Sequence, residues 1–195
     1  MRVGVLALQG DVREHTRALE RLGVSAPQVR LPEDLVNLDA LVIPGGESTA
    51  IARLLEVSGL REDLANRLHE GLPAFGTCAG LILLAEQILD GRSDQWSFAC
   101  LDVTVRRNGY GRQTASFEAM VQLHDSVVVP GVFIRAPRIT KVGADVEVLA
   151  THDHGDGPHA VLVKQGMVWG CSFHPELTED LTIHRMFVES VEALR

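Results

Sequence analysis

Gly76-Thr77-Cys78-Ala79-Gly80 stands between two apolar runs, Leu72-Pro73-Ala74-Phe75 and Leu81-Ile82-Leu83-Leu84-Ala85. A short apolar strand, a glycine-flanked cysteine and a second apolar run read as a nucleophile elbow, in which a sharp strand-to-helix turn lifts a reactive side chain out of the backbone. The flanking glycines are needed because a Cβ beside the turn would collide. The helix that follows adds unpaired first-turn N–H groups and a positive dipole end, which favour thiolate over thiol and can hydrogen-bond a developing oxyanion. The same pattern also suits a buried structural cysteine at a glycine-rich turn, because free cysteine is among the most buried residue types.

The surrounding chain alternates strands with helices. Val3 to Leu8 reads as a buried strand and Val12 to Leu22 as a helix, with Asp11 and Glu14 in an N-cap and N3 relationship and Gly23 as the stop. Gln28 to Leu31 is a weak strand and Ala40 to Ile43 a strong one. Pro44-Gly45-Gly46-Glu47-Ser48 turns into a helix over about Thr49 to Glu56, and a further helix, Leu60 to His69, precedes the elbow strand. This order predicts an α/β fold with a parallel sheet covered on both faces, whose ligands bind beyond the carboxyl ends of the strands. In the second half, runs at Leu101 to Val105, Ala119 to Leu123, Val132 to Ile134, Val146 to Ala150, Ala160 to Val163 and Val168 to Phe173 follow one another with little helix between. They predict antiparallel strands extending the sheet, closed by an amphipathic helix over about Asp180 to Leu194. Leu89 to Ser97 is the segment expected to be most flexible.

Size and composition narrow the function. A chain of 195 residues, 46% of them hydrophobic, suits one α/β domain spanning residues 1–195. A formal charge of −8 removes the usual electrostatic drive toward nucleic acid or anionic membranes, so small molecules or proteins are the expected partners. The three cysteines, Cys78, Cys100 and Cys171, form no CxxC pair and leave an odd thiol, which fits a reducing compartment. The apolar start, Val3 to Leu8, is too short for a signal-peptide core, and no stretch reaches the length of a membrane span. A cytoplasmic location is expected.

A thiol with a pKa of about 8.5 is only slightly ionised at neutral pH, so a cysteine nucleophile needs a base beside it. Of eight histidines, the one in Ser172-Phe173-His174-Pro175-Glu176 stands out, just beyond an apolar strand. Residues two apart in an extended segment point the same way, so Glu176 is placed to orient His174, with Pro175 holding the backbone extended. A strand-end histidine followed by an exposed turn carboxylate accounts for the same residues. Pro44-Gly45-Gly46-Glu47-Ser48 supplies a glycine loop able to bring backbone N–H groups to a ligand. It completes an oxyanion hole with Ala79 if the elbow is catalytic, and is otherwise a turn with Ser48 as helix N-cap. It lacks the lysine of a Walker loop.

Taken together, these motifs make the chain resemble the class I, triad-type glutamine amidotransferases. Leu8-Gln9-Gly10 with Arg13-Glu14-His15, Pro44-Gly45-Gly46-Glu47-Ser48-Thr49, Phe75-Gly76-Thr77-Cys78-Ala79-Gly80, Arg107-Asn108, Phe133-Ile134-Arg135-Ala136-Pro137 and Cys171-Ser172-Phe173-His174-Pro175-Glu176-Leu177-Thr178 narrow the resemblance to the glutaminase subunits of pyridoxal 5′-phosphate synthases. The resemblance implies a flavodoxin-like three-layer α/β/α fold and hydrolysis of L-glutamine to glutamate and ammonia. It implies a catalytic triad of Cys78, His174 and Glu176, with oxyanion donors at the backbone of Gly46 and Ala79. It also implies glutamine-holding positions at Gly46, Glu47, Ser48, Arg107, Ile134 and Arg135, in which a carboxylate such as Glu47 suits the substrate ammonium and a guanidinium such as Arg107 its carboxylate. The implied partner is a (β/α)8-barrel synthase subunit, in a hetero-oligomeric complex, that receives the ammonia and on which the glutaminase depends for full activity. No cofactor and no metal ion is implied.

Other features compete with this reading or depart from it. Asp94 to Cys100 fits the family poorly, because it carries an aromatic-bearing segment where a Gly-Leu-like strand entry is expected. His152-Asp153-His154-Gly155-Asp156-Gly157-Pro158-His159 imitates a metal-binding run, yet it joins two strands and is dense in turn formers, so a polar hairpin loop is expected. Cys100 and Cys171 read as inert core thiols. His15, His69 and His184 read as solvated or dipole-paired helix residues. A glutaminase serving a different synthase, a cysteine hydrolase with another substrate and a non-catalytic scaffold subunit are the rival functions.

Overall fold

A computed structural model of the protein describes residues 1–92, 94–109, 116–124 and 126–194. The first half runs β1 (Val3–Leu6), α1 (Val12–Arg21), β2 (Gln28–Val29), β3 (Ala40–Ile43), α2 (Ser48–Val57), α3 (Leu60–His69), β4 (Ala74–Thr77) and α4 (Ala79–Leu84). The second half runs β5 (Ala85–Ile88), β6 (Leu101–Arg106), β7 (Phe117–Leu123), β8 (Val128–Phe133), β9 (Arg138–Val142), β10 (Glu147–Asp153), β11 (Pro158–Gln165), β12 (Val168–Cys171) and α5 (Thr182–Glu192).

Nine strands form one sheet in the order β2-β1-β3-β4-β12-β11-β10-β7-β8. The strands from β2 to β12 pair in parallel, and those from β12 to β8 pair antiparallel. β1, β3 and β4 are buried at every position, as befits parallel strands covered on both faces. Their side chains alternate between two apolar clusters. Val3, Val5, Val42 and Phe75 meet α1 and α5 through Leu19, Ile183 and Phe187, whereas Leu6, Leu41, Ile43 and Ala74 meet α2, α3 and α4 through Ile51, Leu55, Leu64 and Leu83. The result is the three-layer α/β/α architecture of a flavodoxin-like fold.

One expectation for the second half is corrected. β6 does not extend the main sheet. It pairs in parallel with β5 and antiparallel with β9 in a separate three-stranded sheet, whose Val103, Val105 and Ile139 pack into the α2–α4 side of the core. The segment expected to be most flexible makes side-chain contacts with α2 and α3 where it is described. Trp96 Nε1 donates to Glu56 Oε1 at 2.8 Å, the Arg61 guanidinium lies 4.3 Å from the Trp96 ring centre, and Phe98 N–H donates to the Leu83 carbonyl at 2.7 Å. Ser93, within that segment, lies outside the described residues. Among the described residues, no helix is long and apolar enough to cross a membrane.

Register places the site. β4 and β12 run in parallel with Cys171 opposite Thr77, and β3 sets Ile43 opposite Gly76. The residues that follow each strand, Cys78, Ser172 to His174 and Pro44 to Glu47, therefore leave the sheet side by side at its carboxyl edge, with the β1–α1 turn next to them.

Candidate active site

Cys78 occupies the elbow with φ 48° and ψ −99°, a region that costs a non-glycine residue about 1–3 kcal/mol. Its N–H donates to the Cys171 carbonyl at 2.8 Å and its own carbonyl accepts from Ile82 N–H at 3.2 Å, so strand β12 and helix α4 both fix the turn. The glycine after it is needed for space rather than for dihedral freedom: a Cβ on Gly80 would strike the Ile43 carbonyl of β3. The sequence reading of an elbow therefore holds in its details. The Cys78 thiol reaches the Ile134 carbonyl at 3.8 Å and shares its cleft with the His174 side chain.

His174 and Glu176 do meet, with His174 Nδ1 and Glu176 Oε1 2.8 Å apart, but not by strand alternation. β12 ends at Cys171, and Pro175–Leu177 is a 3-10 turn that curls Glu176 back beneath the imidazole. Proline at the first position of such a turn starts it instead of holding the chain extended. Glu176 is buried. Burial opposes its charge, yet His15 and His174, facing it from two sides, hold its carboxyl far below the usual carboxylate range. Burial likewise opposes charge on His174, but hydrogen bonds to Asp11, Cys78 and Glu176 outweigh it and push the imidazole up to about 12. A cationic imidazole beside a sulfur is the arrangement that stabilises a thiolate.

Asp11 departs from its sequence reading. It precedes α1, but its side chain makes no capping bond and turns instead toward His174 Nδ1, 3.2 Å away. Ser48 departs too. It is buried as the first residue of α2, while Glu47 is the N-cap, its carboxylate accepting from Thr49 N–H at 3.2 Å and Ala50 N–H at 2.7 Å. Arg107 Nη2 donates to Glu47 Oε1 at 2.8 Å, so these two candidate substrate-binding groups are paired with each other. Burial raises the Glu47 carboxyl, and the two capping N–H groups with Arg107 outweigh it to leave a net downward shift.

An open cleft of about 230 Å³ gathers nearly all of these residues. Gly46, Glu47, Ser48, Cys78, Arg107, Ile134, Arg135 and His174 line it, Glu176 lies behind His174, and Ala79 opens the helix after Cys78. The sequence reading did not place Gln9, Asp11 or Asn108 in the site, yet they line the same cleft. Gln9 Oε1 accepts from Glu47 N–H at 2.8 Å, which locks the β1–α1 turn onto the glycine loop.

Two histidines read as ordinary surface residues are corrected. His15 and His184 are buried, their Nδ1 and Nε2 atoms 2.9 Å apart, and His15 Nε2 lies 3.0 Å from Thr77 Oγ1 and 3.4 Å from Glu176 Oε1. His69 is exposed, as read. The His152 to His159 run is the hairpin between β10 and β11, with Asp153 Oδ1 accepting from Gly155 and Gly157 N–H at 2.7 and 3.0 Å. Burial pushes the Cys100 thiol up to about 12 and the Cys171 thiol well above its ordinary value, so neither resembles a nucleophile. Among the described residues, Asp11, His174 and Glu176 form the group that brings three ligand atoms within 4.8 Å of one another. Their hydrogen bonds through Nδ1 account for that convergence.

A three-layer α/β/α sheet that presents a cysteine elbow beside a histidine–carboxylate pair has the arrangement expected of the class I glutamine amidotransferases. A solved structure described as a glutamine amidotransferase matches 97% of this chain and 98% of its own, with 50% identity and a TM-score of 0.89. The chain belongs to the SNO glutamine amidotransferase family, whose sequence profile matches residues 5–193. A protein of Salinispora tropica is 52% identical over 98% of this chain and 96% of its own length. One of Thermotoga maritima is 50% identical over 98% of this chain and 100% of its own length. Both are named pyridoxal 5′-phosphate synthase subunit PdxT.

Proposed function

We propose that this chain, acting as one domain over residues 1–195, is the glutaminase subunit of a cytoplasmic pyridoxal 5′-phosphate synthase and releases ammonia from L-glutamine for a separate (β/α)8-barrel synthase subunit. The observation that carries this reading is the elbow cysteine held beside a His174–Glu176 pair at 2.8 Å, in a chain about half identical to proteins named as subunits of that synthase. Cys78 Sγ attacks the side-chain amide carbon of glutamine. His174 carries the proton between sulfur and the leaving ammonia, and Glu176 fixes the ring and stabilises its cationic form. Water, activated by the same imidazole, then cleaves the γ-glutamyl thioester. The N–H groups of Gly46 and Ala79 receive the oxyanion, each such donor being worth about 3 kcal/mol of barrier.

The Glu47–Arg107 pair suits the amino-acid end of glutamine, with the guanidinium drawn toward the substrate carboxylate and the carboxylate toward its ammonium. Gly46, Ser48, Ile134 and Arg135 complete the pocket. Turnover of glutamine, measured with and without the purified synthase subunit, tests the proposal. Wild type is expected to be stimulated by the partner and Cys78→Ala to be inactive under both conditions. Substantial turnover by Cys78→Ala would overturn the nucleophile assignment.

A further inference from the structure

His15, on α1, and His184, on α5, take no part in the chemistry proposed above, yet they connect to it through an unbroken chain of polar contacts. Both are almost wholly buried, in the layer where Phe75 also packs, and the Phe75 ring meets each imidazole edge-on. Two imidazoles in an apolar layer carry a desolvation cost that hydrogen bonds must offset. The geometry of those bonds fixes where the protons lie.

Thr77 Oγ1 accepts from Gly45 N–H at 3.0 Å and donates to Glu176 Oε1 at 3.5 Å. The oxygen's remaining lone pair and the Glu176 carboxylate are both acceptors facing His15 Nε2, which must therefore carry a hydrogen. At the other end, His184 Nδ1 is buried with no hydrogen-bond partner among the described residues. A hydrogen there would be an orphaned buried donor, which is rarer and costlier than an orphaned lone pair. The hydrogen of His184 accordingly sits on Nε2 and points at His15 Nδ1 across 2.9 Å. Burial pushes the His184 imidazole down to about 3, against the pull of Glu176, which agrees with a neutral ring.

Resting on the glutaminase reading, we propose that His15 and His184 are positioning residues for catalysis: His184 Nε2–H donates to His15 Nδ1, and His15 Nε2–H donates to Thr77 and Glu176. The relay fixes the Glu176 oxygen that holds His174 Nδ1, and so ties the first and last helices to the elbow strand. Among the described residues, Glu176 Oε2 has no hydrogen-bond partner of its own. The carboxylate's orientation therefore rests on the contacts at Oε1, where His15, Thr77 and His174 converge. Removing the donor at His184 leaves His15 Nδ1 a buried acceptor without its partner and frees the ring to turn, which weakens one of the bonds that orient the base.

The two amides that mimic the two imidazole nitrogens separate a directional donor from mere filling of space. His184→Gln places a donor near the Nε2 position, and His184→Asn places it near Nδ1. Glutamine turnover with the synthase subunit present should fall roughly tenfold in kcat for His184→Asn, with KM within about twofold, and stay close to wild type for His184→Gln. Equal kcat for the two variants would overturn the relay. Nitrogen-15 NMR of the wild-type full chain provides a readout independent of turnover. Both rings should be neutral with hydrogen on Nε2, and an Nδ1–H tautomer at either would overturn the assignment. Glu176→Gln in the same turnover assay distinguishes the two levels of failure. If it is unimpaired, the triad reading fails; if it is impaired while the two His184 variants agree, only the relay fails.

Discussion

Three histidines of this chain are drawn together by the fold from positions 15, 174 and 184, whereas three others stand close in sequence at 152, 154 and 159. The first group is buried and runs in polar contact from α5 through Glu176 to His174, which lines the same cleft as the elbow cysteine. The second is half-buried on a hairpin. There the His152 and His154 rings pack edge-on at 4.4 Å, and Arg138 bonds both His159 and Asp156. Burial first, then the charge of His152 and Arg138, pushes His154 down to about 4, against the pull of Asp156. Nearness in sequence makes a turn here, while long-range strand register makes a site.

The contrast is open to attack at both ends. Cys78→Ala should lower glutamine turnover by at least about 10³-fold, and Glu176→Gln by about 10²-fold or more, in steady-state assays with the synthase subunit. Arg107→Ala should raise KM for glutamine by about tenfold to a hundredfold while moving kcat less, because it loses charge-assisted bonds made in the bound state. His184 predicts an acid limb in stability. Its ring stays neutral in the folded chain down to about pH 3, but protonates below about 6.5 once unfolded. The unfolded state therefore binds more protons in that window, and stability is complete above pH 6.5 and lost as pH falls toward 3, at up to about 1.4 kcal/mol per pH unit. Denaturant titrations across pH 4–7 should show a shallower limb in His184→Gln. Smallest of all, the double change His152→Asn and His154→Asn should leave turnover within about twofold and cost about 1 kcal/mol of stability.

Much of this contrast was legible in the residues. β3 and α3 follow the expected bounds, because an all-apolar run and a stretch with Leu60, Leu64 and Leu68 on one face are local signals. β5 was missed because Leu81-Ile82-Leu83-Leu84-Ala85 continues without a breaker into Glu86, and the turn out of α4 is a backbone change at Ala85 (φ −60°, ψ 147°). β9 was missed because Arg138-Ile139-Thr140-Lys141-Val142 is short and carries two charges. The elbow turn, His174 with its neighbour Glu176, and the glycine loop were readable as strand-end features because each announces itself through glycine or proline.

His15 and His184 did leave a signal. Each lies on the apolar stripe of its helix, His15 with Ala18 and Leu19, and His184 with Phe187, Val188 and Val191. A histidine on the buried face of an amphipathic helix has to meet a polar partner. Which partner it meets depends on how α1 and α5 pack on the sheet, and no local pattern encodes that. Asp11 shows the same limit. Its type suits a helix cap, and only the approach of β12 beside β4 offers it His174 instead.

The central claim is that Cys78, lifted by the elbow and paired with His174, carries the γ-glutamyl group. Acid quenching of the protein with its synthase subunit during glutamine turnover, followed by peptide mass spectrometry, tests it most directly. A γ-glutamyl thioester on the peptide containing Cys78, absent from Cys78→Ala, is the result expected. Turnover without any adduct at Cys78, or with an adduct at Cys100 or Cys171, would contradict it.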